Sequence, residues 1–385
     1  MKILFINNTK DFPGSAISLL NLFKGLKAKG VELILAGPKL ESALFQEKLM
    51  ELNVPYITIY NHKNIWPKIR KGSLKDRIIS YILWPSKIIR LQFHIIYAKS
   101  CIYRIIETYK PDIIHSNSGV IHEGVICAKK RGIPHLIHLR EYQDLDFGMC
   151  IYPSKSSFER LLRDTYVITI TKDILYHFNL QKYPKARVIY NGIYPEEMVA
   201  WKWPKEKFFL CCSRINPGKG HDDVIKAFSN FAKQQPDYRL KILGNGPDDY
   251  IKYLKQLAVN LGCEEKIEWE GFSDNPYKYM IKAKSLIVAS LSEGFGRMTA
   301  EASFAGCIVI GRNTGGTREI LQNTGGYLFD TNDGMERAMH QVAELNEIKY
   351  KEMIVKSQNY SVNNYSNESN VENTYNFYMD VIRKK

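Results

Sequence analysis

No stretch of this 385-residue chain approaches the roughly 18 uninterrupted apolar residues that a membrane-spanning helix needs. The first apolar run, Ile3-Leu4-Phe5-Ile6, stops at Asn7-Asn8 and is too short for a signal h-region. Cysteine lacks pattern: Cys101, Cys127, Cys150, Cys211, Cys212, Cys263 and Cys307 are odd in number, scattered, and never at a CxxC or Cys/His ligand spacing. Neither a disulfide framework nor a structural zinc site is indicated, and the reducing cytosol is the expected compartment. No GxGxxG follows the first strand, which disfavours a dehydrogenase, and no recognised RNA or DNA module is present. What is there is ordinary globular material, 45 % hydrophobic and 24 % charged, enough for two or three domains at roughly 150 residues each.

The net charge of +14 is unevenly placed. Residues 1–190 hold 29 Lys+Arg against 15 Asp+Glu, whereas residues 191–385 hold 25 of each, so the first half carries the whole excess. Between Lys63 and Arg104 there are ten basic residues and one acid, Asp76. Such a patch asks for an anionic partner or surface.

Both halves alternate strands with helices. Lys2–Asn7 reads as a strand, Ser15–Lys29 as a helix ending at Gly30, and Val31–Ala36 as a strand. After a basic insert at 61–109 the rhythm resumes with Asp112–Ser116, Glu123–Arg131, His135–Leu139 and Tyr166–Thr171. It restarts at Phe208–Ser213 and continues through His221–Gln235, Arg239–Leu243, Asp249–Leu261, Ser285–Ala289, Arg297–Ala305 and Cys307–Gly311. This is the pattern of two doubly wound parallel sheets, an α/β class with two Rossmann-like domains expected to face each other across a cleft at their carboxyl ends. Domains are expected at 1–191 and 192–365, with 366–385 a helix returning to the first. The Asn- and Ser-rich stretch Asn359–Asn373 reads as a polar turn before a last helix at about Glu372–Arg383.

Three motifs carry candidate chemistry. In Ser213-Arg214-Ile215-Asn216-Pro217-Gly218-Lys219-Gly220, two cations flank a Pro-Gly turn before a helix and can converge on one oxyanion such as a pyrophosphate; a surface loop with two solvated cations fits the spacing equally well. The loop is not a Walker A sequence. Gly244-Asn245-Gly246 permits close backbone approach, though a plain tight turn is the commoner use of such glycines. In Ser292-Glu293-Gly294-Phe295-Gly296-Arg297-Met298-Thr299-Ala300-Glu301, a strand feeds a Gly-flanked loop and then a helix. The N–H groups of Phe295 to Met298 can form an anion nest there, and Glu293 and Glu301 are placed to accept hydrogen bonds from vicinal hydroxyls; a cap and an exposed helix carboxylate would use the same residues.

With Gly315-Gly316-Thr317-Arg318-Glu319, Asn191-Gly192-Ile193 and Asp112-Ile-Ile-His115-Ser, these motifs resemble, in order and spacing, glycosyltransferase family 4 of the GT-B fold. The resemblance implies a retaining transfer of a hexose-type sugar from a nucleoside-diphosphate sugar, with no metal and no resident cofactor. By motif position, Arg214 and Lys219 would bind the donor diphosphate, Glu301 the ribose and Glu293 the hexose, with the backbone of Gly294, Phe295 and Gly296, and of Gly244, close to the donor. His138, at the end of a strand, matches a histidine the family commonly places near donor sugar and acceptor; His115 is a comparable case. A lone strand histidine is more often structural. Gly14-Ser15 stands where the family usually has a glycine pair beside the donor phosphate. The second glycine is absent here, and serine offers its N–H and hydroxyl instead. The formal DxD of Asp144-Leu145-Asp146 lacks the single-domain context of metal-dependent sugar transferases.

The expected acceptor is a lipid-linked or other glycan, as in bacterial surface polysaccharide assembly. The mixture of apolar, aromatic and basic residues in 61–109 is suited to an anionic membrane interface on the cytoplasmic side, although a solvated basic face over ordinary core positions would look the same. Two other readings remain: a nucleotide-sugar epimerase on a similar two-domain fold, and a non-catalytic basic binding protein at a membrane surface.

Overall fold

The computed structural model describes residues 1–11, 14–60, 63–66, 74–147 and 150–384, without the side chains of Ser15, Asp76, Arg77, Asp146 and Phe147. Within the basic insert, Lys68, Arg70 and Lys71 lie outside the described residues. The chain divides into two units, one of Met1–Gly192 with Asn370–Lys385 and one of Ile193–Ser369.

The first unit is built on seven parallel strands, β1 (Lys2–Ile6), β2 (Glu32–Gly37), β3 (Tyr56–Thr58), β4 (Ile113–Ser116), β5 (His135–Leu139), β6 (Tyr166–Thr169) and β7 (Ala186–Val188), in the order β3-β2-β1-β4-β5-β6-β7. β1 and the Phe208–Cys211 part of the strand that opens the second unit are buried on both faces, which is why they read as apolar runs rather than as an alternation. On one face Ile3, Phe5 and Leu35 pack with Leu19, Phe23 and Phe45, and with Val371, Phe377 and Tyr378 of the returning C-terminal segment. On the other, Leu4, Ile6 and Ile114 pack with Ile102, Ile105 and Ile106 of the long helix Trp84–Tyr109. Each large aromatic so buried contributes about 1.5–3 kcal/mol.

The second unit repeats the plan with β8 (Glu206–Cys212), β9 (Arg239–Leu243), β10 (Ile267–Gly271), β11 (Ala283–Val288), β12 (Val309–Arg312) and β13 (Tyr327–Phe329), ordered β10-β9-β8-β11-β12-β13 and all parallel. Phe209, Cys211 and Ile287 meet Val224, Phe228 and Phe231 of the helix His221–Gln234 on one face. Leu210, Leu286 and Val309 meet Ala302 and Ala305 on the other. In both sheets the chain winds outward from its first strand and then jumps back beside it, so the winding direction reverses between β1 and β4 and between β8 and β11. Open α/β sheets bind ligands at the carboxyl ends of strands at such a reversal.

The expected polar turn over Asn359–Asn373 is not there. A helix runs Glu347–Tyr365, breaks at Ser366 alone, and a second helix starts at Asn367. Tertiary burial overrides the weak helix propensity of Asn and Ser: Tyr350, Ile354, Ser361 and Tyr365 are all buried, and Asn370 donates to the Tyr190 carbonyl at 2.5 Å. Ser366 caps the restart by accepting from the Ser369 N–H at 3.1 Å.

Candidate functional site

In the second unit, three loops leave the carboxyl ends of neighbouring strands and are tied to one another through their backbones. The loop after β8 carries Arg214 and Lys219, and its Gly218 carbonyl accepts from the Leu291 N–H of the loop after β11 at 2.9 Å. That second loop holds Glu293, whose carbonyl accepts at 2.7 Å from the N–H of Gly316, in the first turn of the helix Gly315–Thr324 that follows the short loop after β12. The glycines make these approaches possible. Gly220 has φ +69°, and a Cβ there would stand 2.3 Å from the Ala289 carbonyl oxygen; a Cβ on Gly316 would stand 2.0 Å from that of Phe295.

Lys219 and Glu293 meet directly, Nζ to Oε1 at 2.5 Å, with both side chains largely covered. They line a small pocket with Cys212, Ser213, Ser290, Gly296 and Met298. The helix Arg297–Phe304 begins beside them, with Gly296 as its left-handed N-cap at φ +85°, so its first-turn N–H groups lack intrahelical acceptors and add their positive potential to that of Lys219. Arg214 is exposed on the same loop. The arrangement offers a cation and oriented N–H groups for phosphate oxygens next to a carboxylate for hydroxyls.

Glu301 is not the exposed helix carboxylate that spacing alone allows. It is buried, accepts from Arg297 Nε at 2.7 Å and from the Tyr194 hydroxyl at 3.3 Å, and burial pushes its pKa up while Arg297 pulls it back. Gly244 and Gly246 have a structural use: a Cβ on either would lie 1.9 Å from a carbonyl oxygen, of Ser213 and Ile215 respectively, so the glycine turn is what the Arg214 loop rests on. Ile215 N–H donates to the Asn245 carbonyl at 2.8 Å across this contact.

In the first unit, His138 is buried near the end of β5, and burial, helped by Arg140 and His115, holds its pKa well below the ordinary imidazole value. His115, near the end of β4, stacks on Phe5 and shares a 2.6 Å hydrogen bond through Nδ1 with the Tyr378 hydroxyl. Gly14 and Ser15 open the helix Gly14–Ala28 after β1; the Ser15 side chain lies outside the described residues. Asp144 pairs with His177 at 2.8 Å and with Lys155 at 3.5 Å, and the Asp146 side chain lies outside the described residues.

Sequence reasoning missed several supporting groups. Arg312 joins the ends of three elements, donating to the Ala289 carbonyl at 3.0 Å and to Asp223 at 2.6 Å. His221, fully buried with its pKa pushed down to about 4 by burial, meets Ser213 Oγ at 3.3 Å and fastens the Arg214 loop to its helix. Arg140, Asn117 and Asn191 form a cluster in the first unit. Motif spacing carries no trace of the Arg312 and Arg140 contacts, which join residues that the sheet brings together from far apart in sequence.

Two doubly wound sheets, each with candidate polar groups at the strand ends beside its winding reversal, define a GT-B protein. Residues 13–197 match the model described as Glycosyltransferase Family 4, and residues 194–360 that described as Glycosyl transferases group 1. The chain belongs to the family 4 type of GT-B glycosyltransferases. Among curated relatives it is 34% identical over 160 residues to the N-acetylgalactosamine-N,N'-diacetylbacillosaminyl-diphospho-undecaprenol 4-alpha-N-acetylgalactosaminyltransferase of Campylobacter jejuni, a match covering 39% of this chain and 41% of that one. It is 27% identical over 180 residues to the N-acetyl-alpha-D-glucosaminyl L-malate synthase of Bacillus anthracis, covering 46% of each. These matches thus span under half the length of either relative. Among solved structures, Anabaena HepE in complex with UDP superposes with a TM-score of 0.76 at 18% identity, over 99% of this chain and 100% of that one; TarM gives 0.72 at 14%, over 98% of each.

Proposed function

We propose that the protein transfers a hexose-type sugar, with retention of anomeric configuration, from a nucleoside-diphosphate sugar to a hydroxyl of a lipid-linked glycan. The observation that carries this reading is the Lys219–Glu293 pair beside the first turn of the helix Arg297–Phe304. A departing nucleoside diphosphate develops negative charge next to Lys219 and those N–H groups, while Glu293 accepts hydrogen bonds from the sugar. Arg214 is assigned to the same diphosphate and Glu301 to the ribose. The bond from the anomeric carbon to the phosphate oxygen breaks as the acceptor oxygen bonds to the same face, and the leaving phosphate takes the acceptor's proton. No protein nucleophile, metal or resident cofactor enters this scheme.

The lipid-linked acceptor is supported by the Campylobacter jejuni relative, whose name describes a diphospho-undecaprenol substrate, and by the surface of the first unit. The helices Leu74–Ile82 and Trp84–Tyr109 turn Ile82, Phe93 and Ile96 to solvent, at 71%, 67% and 62% exposure. From Trp84 to Ile106 the chain carries Lys87, Arg90, Lys99 and Arg104 and no acid. An exposed apolar stripe among unopposed cations suits an anionic bilayer surface, on the inner face of the cytoplasmic membrane and in surface polysaccharide synthesis. Among the described residues no helix is long and apolar enough to cross a membrane.

A melting panel with UDP, GDP, ADP and dTDP, each with and without divalent metal, tests the donor half, because a ligand that binds the folded state raises the melting temperature. A rise with one nucleotide, independent of metal, is expected. Supplying the matching sugar nucleotide must then release nucleoside diphosphate only when acceptor is present. Turnover of the sugar nucleotide without release would make the protein an epimerase instead, and no melting response to any nucleotide would reject the donor site.

A further inference from the structure

Arg140 leaves the end of β5 and spreads its guanidinium across three neighbours. Nε donates to Asn117 Oδ1 at 3.0 Å, Nη1 donates to Asn191 Oδ1 at 2.8 Å, and Nη2 faces His138 Nδ1 at 3.3 Å. Asn117 directly follows β4 and its N–H is bonded to the Ile6 carbonyl at 2.9 Å, so the group sits where β1 and β4 part, the winding reversal of the first sheet. His138 Nε2 is buried and has no protein partner among the described residues.

A guanidinium has five N–H donors and no acceptor, and although burial brings the pKa of Arg140 down to about 10 it keeps its proton throughout the neutral range. The imidazole nitrogen facing it can therefore only accept. A neutral imidazole has one acceptor and one donor nitrogen, so the ring proton must lie on Nε2. Histidines that act as bases use the opposite arrangement, with a carboxylate or carbonyl on Nδ1 to stabilise the imidazolium that forms. Here a cation stands in that place.

We infer that Arg140 is a positioning residue that fixes His138 as a neutral imidazole protonated on Nε2, so that His138 gives a hydrogen bond to a substrate oxygen and takes no proton from it. The remaining surroundings agree. His115 lies 5.5 Å away ring to ring, is itself buried, and is tied to Tyr378; Glu141, which bears on Arg140, is engaged by Ser118 Oγ at 2.5 Å. No carboxylate figures among the groups that shift His138, whose pKa burial and then Arg140 hold down. The protonation state follows from the geometry alone; the hydrogen bond to substrate rests on the proposed sugar transfer. On that reading the oxygen is a hydroxyl of the bound sugar or a donor phosphate oxygen, and the leaving phosphate is left as the proton acceptor.

Nitrogen-15 histidine spectra of the full chain, with His138 assigned through His138→Gln, test the tautomer directly. The expected result is an Nε2-protonated neutral ring that does not titrate between about pH 5 and 8, where a free imidazole would. An Nδ1–H ring, or an imidazolium in that range, overturns the inference whether or not the protein transfers sugar. Arg140→Met removes the donor, so its His138 should titrate or populate the other tautomer. Its transfer rate should fall about tenfold or more, the scale of one lost hydrogen bond to a charged group, with a new acid limb in the pH profile of kcat and a smaller change in KM. Arg140→Lys keeps the charge without the fork and should recover part of the rate. If Arg140→Met does not fold, the wild-type spectrum still decides. If the spectrum is as expected but no sugar is transferred, it is the proposed function that has failed.

Discussion

Paired at 2.5 Å, Lys219 and Glu293 neutralise each other in the free protein, so in the proposed donor site an arriving diphosphate would compete with a carboxylate for its cation. That pair is partly solvated and is worth no more than about 0–1 kcal/mol to the fold. A charge-assisted bond from Lys219 to a diphosphate oxygen is worth more, about 1.5–3 kcal/mol. Lys219→Ala should therefore leave the melting temperature of the free protein almost unchanged while weakening nucleotide affinity roughly 10–100-fold, with turnover falling in step. Calorimetric titration with the nucleotide picked out by the melting panel checks this, and an unchanged affinity removes Lys219 from the diphosphate site. Lys219 and Glu293, the pair on which the proposal rests, stand out in the sequence because they lie in Gly-flanked loops after strands, where phosphate and hydroxyl recognition would call for those residue types. Arg140 and Asn117 do not, and Asn191 does so only within its Asn-Gly-Ile motif and not as a partner of Arg140, since an Arg two residues after a strand histidine has no distinguishing spacing and its partners lie 23 and 51 positions away.

At the scale of elements, the site depends on segments whose backbones touch directly. A methyl group on Gly316 would overlap the Phe295 carbonyl at 2.0 Å and its Cα at 2.6 Å, which no side-chain rotation relieves. Gly316→Ala should cost about 1–3 kcal/mol and push the first turn of the helix Gly315–Thr324 off the Glu293 loop, abolishing the nucleotide-induced rise in melting temperature. Gly334→Ala, whose Cβ would meet only Thr331 Oγ1 at 3.4 Å and atoms farther off, is the matched control and should retain it. If both variants respond alike to nucleotide, the loop contact is not part of the site. The same scale explains which elements were legible. β1, β4, β5, β8 and β11 are largely buried and each carries a short apolar stretch near turn residues, with His and Ser tolerated in β4, His in β5, and Lys and Ser in β11. β13, three residues long, and the helix Glu347–Tyr365, whose buried face mixes Ser and Gln with Tyr and Ile, carry too little periodicity to be read without the surface they pack against.

At the scale of the whole molecule, two asymmetries separate the units. Among the described residues, the buried histidines with depressed pKa values are His115, His122, His135 and His138 in the first unit and His221 in the second. Burial holds His122 and His221 at about 4 and His135 at about 3, against 6.5 for a free imidazole. A depressed histidine binds fewer protons folded than unfolded, so its contribution is complete above pH 6.5 and is lost as pH falls toward the folded value. The first unit should thus lose stability sooner on acidification, and hydrogen exchange at about pH 5 should show its amides deprotected before those of β8–β13. Simultaneous loss in both units would contradict this. The second asymmetry, among the described residues, is the exposed set of Ile82, Phe93 and Ile96 with Lys87, Arg90 and Lys99 on the first unit, in the half of the chain that holds the whole excess of positive charge. The two components respond to different changes, since cations lose their attraction as salt rises and apolar side chains do not. Vesicles of phosphatidylglycerol and phosphatidylcholine should sediment the protein, and pure phosphatidylcholine far less. Lys87→Glu with Arg90→Glu should weaken that binding at low salt by about 1 kcal/mol or more per reversed charge. Phe93→Ser with Ile96→Ser should leave attachment that salt strips off completely. Both doubles should slow transfer to a vesicle-borne acceptor while sparing transfer to a short water-soluble one. Failure of the native protein to sediment with either vesicle would overturn membrane docking, and equal sedimentation with both would remove the cations from it.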